Sequence, residues 1–337
     1  MSKLNLLSGS YTGPDGEGLK LLSFDTATGA IELVRGYPGT TDVSWIAFAP
    51  ATRCVYVTNE MAEQAGAFSL AADNSAATPL GYQSTGAKYP CYLRISPKGT
   101  KLAVANYGDD STPVFSIDAA TGALKSDPTV LRSAHAHDQG HAHWTQWSPE
   151  ADRLYTVDLG HDEVRSVRYE AGNFVGGPET AFSTPKGAGP RHLAFHPNGK
   201  FAYLFTEYAE TVTALARAPG GKLTELNTLS ALPADFKGES TGAHIQINAA
   251  GTVLYVSNRG HNSITAFAIA ADGKISLKQN ISCGGNWPRF FLLLEKHLIV
   301  ANQESEDLVV FDVAADGTLS ATGTVFKLQK PVALLQI

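Results

Sequence analysis

Charge is scarce in this chain. Only 17% of its 337 residues are Asp, Glu, Lys or Arg, below the ~25% usual for globular proteins, which argues against long salt-bridged helices and coiled coils. Cysteine is scarcer still. Cys54, Cys91 and Cys283 are an odd number without CxxC spacing, which argues against a disulfide framework and a zinc cage of sulfurs. No window approaches the ~18 continuous apolar residues of a membrane span. The N-terminal run Leu4-Asn5-Leu6-Leu7 is too short for the core of a signal peptide. A basic block is missing too: 26 Lys+Arg against 32 Asp+Glu leave a net charge of −6, a poor match to nucleic acid or an anionic membrane. These absences lead us to expect a soluble cytoplasmic protein, a monomer or small homo-oligomer, with no nucleic-acid or membrane partner.

Apolar residues, at 43%, are plentiful enough to bury a large core, which sets disorder aside. The 32 glycines imply many tight turns. The length permits two domains of ~150 residues, a prior that fails for large all-β folds.

An internal repeat decides between these. The segments WIAFAPATRCVYVTN (45–59), YLRISPKGTKLAVAN (92–106), WTQWSPEADRLYTVD (144–158), HLAFHPNGKFAYLFT (192–206) and HIQINAAGTVLYVSN (244–258) share one pattern, and RFFLLLEKHLIVAN (289–302) is a shortened copy. Their turn residues Pro50, Pro97, Pro149, Pro197 and Ala249 lie 47, 52, 48 and 52 residues apart. Each copy alternates as a β-hairpin around a Pro, Gly, Asn or Lys turn. A second hairpin follows with an Asp-rich turn, as in FDTATGAIEL (24–33) and VAADGTLSA (313–321), where glycine supplies the positive φ. Two hairpins per repeat make a four-stranded propeller blade of roughly 48 residues. The C-terminal PVALLQI (331–337) resembles a first strand and the N-terminal LNLLSGS (4–10) a second. Pairing them closes a seventh blade and removes the open edge. The expected fold is all-β, a single seven-bladed β-propeller over 1–337 with four antiparallel strands per blade.

In such a ring the starts of first strands and the ends of second strands converge on one face. His141, His143, His192 and His244 sit at first strands, His161 and His261 after second strands, and His135 and His137 in the loop before His141. Only His196 and His297 fall elsewhere. The same positions hold Glu60, Tyr107, Asp158, Arg191, Glu207, Arg259, Arg289, Asn302 and Gln303. Glu207 ends an apolar run, and partial burial is expected to raise its pKa toward that of a general base. The repeated Asn59, Asn106, Asn258 and Asn302 read first as turn formers. Arg191 also has a plainer reading, as a tie between blades. The alternating histidines of 135–143 have the composition of metal ligands but fit no closed zinc site, so no metal is assigned. A carboxylate, arginines and imidazoles gathered on one face make a pocket for a small polar ligand.

Several pieces carry a family likeness: His141-Ala-His143, Gly189-Pro-Arg-His192, Glu207, Ser257-Asn-Arg-Gly-His261, Trp287-Pro-Arg-Phe290, Val300-Ala-Asn-Gln303, Gly9-Ser-Tyr-Thr12 and Ala105-Asn-Tyr-Gly108. In their order and spacing the chain resembles the lactonase family of seven-bladed propellers, which includes propeller-type 6-phosphogluconolactonases and fungal carboxymuconate lactonizing enzymes. The resemblance implies a site of His143 or His141, Arg191, Glu207 and Arg259, with His192, Arg289, His244, His261, Tyr107 and Gln303 as substrate-binding neighbours. The chain departs from the family at Asp109-Asp110, where glycines are common, at Thr206, commonly Asn, and at His161, usually small or polar.

The expected activity is hydrolysis of a sugar-acid lactone without an organic cofactor. Arg259 or Arg191 would stabilise the oxyanion, and Glu207 and a histidine of the 141/143 pair would divide the proton transfers. The remaining arginine and Arg289 would clamp a carboxylate or phosphate. Alternatives are a lactone isomerase or muconate-type lactonizing enzyme on the same residues, metal-assisted hydrolysis, and a non-enzymatic binding propeller. The last would show an apolar face rather than one rich in His, Arg and Glu.

Overall fold

The structure, a computed structural model, describes residues 3–13, 16–133, 135 and 139–337. His137 lies outside them. Its strands form seven antiparallel sheets of four, as the repeat predicts. Blades 1 to 6 span residues 43–84, 90–131, 142–183, 190–230, 241–282 and 288–327. Blade 7 joins the two ends of the chain: Pro331–Gln336 pairs with Lys3–Ser10 in the register Leu7↔Leu335 and Ser8↔Leu334. The innermost strand of every blade packs on the innermost strands of both neighbours, which closes the ring. Among the described residues no helix is long and apolar enough to cross a membrane, and all three cysteines are free and buried.

The core lies between the blades, where second strands are buried on both faces, as in Val253–Arg259. Such strands read as continuous apolar runs instead of alternating ones. A repeated clasp joins neighbouring blades. Tyr56, Tyr155, Tyr203 and Tyr255, each on a second strand, donate their hydroxyls to the carbonyls of Gly122, Gly221, Gly273 and Gly317 in the next blade, at 2.9, 3.1, 3.0 and 2.6 Å. The two histidines outside the repeat pattern do similar work: His196 Nε2 lies 2.9 Å from the Gly251 carbonyl and His297 Nε2 3.1 Å from that of Thr26.

These turns require glycine. Gly273 has φ +85°, and a Cβ there would stand 2.5 Å from the Phe201 ring. Gly273→Ala is expected to cost at least about 1–2 kcal/mol, from left-handed backbone strain alone. A shift of the urea midpoint measures it, and an unchanged midpoint would show that the turn relaxes freely.

Candidate active site

In all seven blades the pairing of the first two strands slips at the same height. The register jumps at Val43/Ile46, Pro90/Tyr92, Ala142/Trp144, Pro190/His192, Gly242/Ile245 and Pro288/Phe290, and in blade 7 opposite Pro331 and Ala333. A bulge leaves its extra residue unpaired and re-aims its side chain. The residues skipped include Ser44, Cys91, His143, Arg191, Ala243, Arg289 and Val332, so every blade presents a bulge residue at one mouth of the channel. The residue following each second strand, or ending it in blade 5, forms another ring: Tyr11, Glu60, Tyr107, Leu159, Glu207, Arg259 and Gln303.

Where these rings meet, ion pairs form. Glu207 Oε2 is 2.9 Å from Arg191 Nε, and Oε1 is 2.9 Å from Arg259 Nη2. His143 Nε2 stands 3.9 Å from Glu207 Oε2. Arg191 Nη1 also reaches His192 Nε2 at 3.0 Å and the Ala243 carbonyl at 2.6 Å, while Arg259 Nη2 donates to the Gly242 carbonyl at 2.7 Å. Arg191 therefore ties blades together and faces the pocket as well. On the other side of the mouth Arg289 Nη2 lies 3.8 Å from Glu60 Oε2, which accepts the Tyr11 hydroxyl at 2.8 Å.

The electrostatics correct one expectation. Burial does push the Glu207 carboxyl up, but the guanidiniums of Arg259 and Arg191 outweigh it, and the pKa falls below the usual carboxylate value. Glu207 is thus a held anion and not a carboxyl poised near neutrality. His143 is neutral: burial, reinforced by Arg191 and Arg289, holds it well below an ordinary histidine. Burial also lifts the neighbouring Cys91 thiol to about 12, so it stays protonated beside His143 Nδ1 at 3.7 Å.

The other predicted residues scatter around this centre. His141 stacks on Tyr107, ring centroids 4.7 Å apart, with Nδ1 2.7 Å from the Tyr107 carbonyl; of the pair only His143 meets Glu207. Tyr107 sits edge-on to His143 at 5.5 Å. His192 and His244 lie one layer deeper, their Nδ1 atoms 3.2 Å apart, in an aromatic plug with Trp45, Tyr92 and Phe290. His261 turns to Ser263 Oγ at 2.6 Å, and Gln303 Nε2 to Glu304 at 2.6 Å. The plug divides the channel. Above it a small gap is lined by Ser44, Cys91, Arg191, His192 and Arg289, and below it a cavity of about 320 Å³ has Tyr92, Arg94 and His244 as its ionisable lining residues and no carboxylate. The larger cavity thus lacks the carboxylate and paired arginines of the upper mouth.

Two departures from the family pattern meet in space. Asp110 and His161 gather with Asp158, but Arg165 occupies the middle, its Nη1 3.7 Å from Asp110 and 3.0 Å from Asp158 and its Nη2 3.1 Å from His161 Nδ1. Arg165 thus supplies the positive charge that this acidic group pairs with.

Sequence reasoning missed the partnership of Tyr11 and Glu60 with Arg289. The signal was present: both stand at the repeat position that also holds Glu207 and Arg259.

The family model for seven-bladed β-propeller lactonases matches residues 5–336. The chain belongs to that family. It is 30% identical over 317 residues to a 6-phosphogluconolactonase of Bacillus subtilis strain 168, covering 90% of this chain and 89% of that one. The periplasmic gluconolactonase PpgL of Pseudomonas aeruginosa superposes with a TM-score of 0.90 at 31% identity, covering 100% of this lactonase-family chain and 99% of its own. A Lactobacillus plantarum protein gives a TM-score of 0.90 at 26% identity and full coverage of both chains.

Proposed function

We propose that this lactonase-family protein hydrolyses a sugar-acid lactone at the Glu207 cluster. The observation that carries the reading is a neutral, buried imidazole 3.9 Å from a carboxylate held between two arginines. Each Glu207 oxygen already accepts a guanidinium N–H, so the carboxylate orients Arg191 and Arg259 and is a poor proton acceptor. Among the described residues, Arg191 Nη2 and Arg259 Nη1 make no hydrogen bond to protein and are available to the lactone carbonyl oxygen as charge develops on it. His143 takes the proton of the attacking water. Burial first, and the charges of Arg191, Arg289 and Arg259 after it, hold its pKa low, and negative charge forming on the lactone raises it when the proton moves. The water oxygen bonds to the carbonyl carbon, the ring C–O bond breaks, and the imidazolium returns its proton to the departing ring oxygen. The product is the open hydroxy acid.

Product analysis by NMR with an aldonolactone tests this, corrected for spontaneous opening. Ring-opened acid formed at an enzyme-dependent rate is expected. An isomeric lactone, or no acceleration, refutes hydrolysis.

A further inference from the structure

We infer that the lactone taken by this site is uncharged and polyhydroxylated, carrying no phosphate, and that Glu60 enforces this choice; the inference rests on the hydrolytic reading above. Arg289 differs from its two neighbours. Arg191 and Arg259 are bound to Glu207 and to backbone carbonyls, whereas among the described residues Arg289 makes no hydrogen bond and has Glu60 as its ion partner at 3.8 Å. Its Cζ also lies 5.4 Å from the centre of the Tyr11 ring. Burial keeps the Tyr11 hydroxyl protonated, so Tyr11 donates to Glu60 and fixes the carboxylate beside the guanidinium. This half of the mouth thus sets an acceptor next to a donor fork. A hydroxyl group both donates and accepts, so adjacent sugar hydroxyls satisfy the pair together. A phosphate dianion has no proton for Glu60.

The charge count points the same way. Arg191, Arg259 and Arg289 against Glu207 and Glu60, with His143, His192 and His244 neutral, leave a single positive charge at the mouth. The oxyanion, and then the product carboxylate, uses that surplus. A phosphate on the same substrate would add about two further negative charges beside a buried carboxylate. The rim gives such a group little help. On the side of blades 2 and 3 Asp109, Asp110, Asp158 and Glu163 outnumber Arg132 and Arg165. Lys88, Lys186, Lys237 and Lys330, in the loops between blades at this end of the ring, are exposed, where water and salt screen them. No helix N-terminus, a common phosphate cradle, opens onto the mouth among the described residues.

The test compares kcat/KM for glucono-1,5-lactone and its 6-phosphate in the wild type, Glu60→Gln and Tyr11→Phe. The wild type is expected to favour the unphosphorylated lactone by about tenfold or more, and Glu60→Gln to narrow that ratio by about tenfold, a size usual for one pocket contact. Tyr11→Phe should move the ratio the same way by less. Preference of the wild type for the phosphorylated lactone, or a ratio untouched by Glu60→Gln, overturns the inference. If neither lactone is opened, the hydrolytic reading fails by itself. Calorimetry with gluconate and 6-phosphogluconate then decides the charge selectivity: tighter gluconate sustains it, while tighter 6-phosphogluconate or no binding of either overturns it.

Discussion

Glu207→Gln is expected to lower kcat/KM for lactone opening by about 10²–10³-fold, the size seen when one preorganised oxyanion donor is lost. The cause is geometric as well as electrostatic. The carboxylate receives N–H groups from two guanidiniums at 2.9 Å each. A glutamine offers one acceptor and turns an NH2 toward the other arginine, so one donor must swing away. The charge is lost too, which leaves Arg191, Arg259 and Arg289 facing one another at the mouth. Removing one member of a buried ion pair costs about 3–5 kcal/mol in many proteins, so unfolding must be followed alongside rate. Glu207→Asp separates the two effects, because it keeps the charge and moves it back by one methylene. It should recover most of the stability and little of the rate. Near-normal turnover in a folded Glu207→Gln protein would remove Glu207 from the site.

Much of this architecture is legible in the residues. The repeat locates the blades, and the lone strands at the two ends of the chain pair as their patterns require. Asn106, Asn258 and Asn302 prove to be the buried turn formers that their recurrence suggests, bonded to Ser111, Ser263 and Asp307 across the next turn. The bulges are not legible. A one-residue slip leaves the apolar pattern of a fully buried strand unchanged, yet it decides that His143 and Arg191 face the mouth while His192 faces the plug. Nor can a single segment reveal the sign of the Glu207 shift. The carboxylate comes from blade 4 and one opposing cation from blade 5, so the balance of burial against charge exists only once the ring is closed.

The same buried groups make the fold sensitive to acid. Burial, with Arg191 beside them, holds His143 and His192 well below an ordinary histidine and brings His244 down to about 3. In the unfolded chain each takes up a proton near pH 6.5, and in the folded protein none does. Unfolded molecules therefore bind more protons below that pH, and stability falls as pH falls. Each histidine contributes about 1.4 kcal/mol per pH unit, so the three together give a slope of roughly 4 kcal/mol per unit. Glu207 acts in the same direction at lower pH. Its folded pKa is depressed, so its contribution is present above the ordinary carboxylate range and is lost as pH drops through the folded value. Between pH 6.5 and 5 the histidines alone should remove about 5 kcal/mol, since each is only half protonated in the unfolded chain at the upper limit, an amount comparable to the whole stability of many domains. Urea unfolding at pH 7.5, 6 and 5 measures the slope. His244→Phe, placed where the imidazole already stacks on Phe290 at 4.2 Å, should lessen it by about a third. Glu210, which burial lifts to about 7, takes up its proton first in the folded state and offsets part of this loss, so the His244→Phe comparison isolates the imidazole share. A slope that His244→Phe leaves unchanged would mean that His244 accepts a proton in the folded ring.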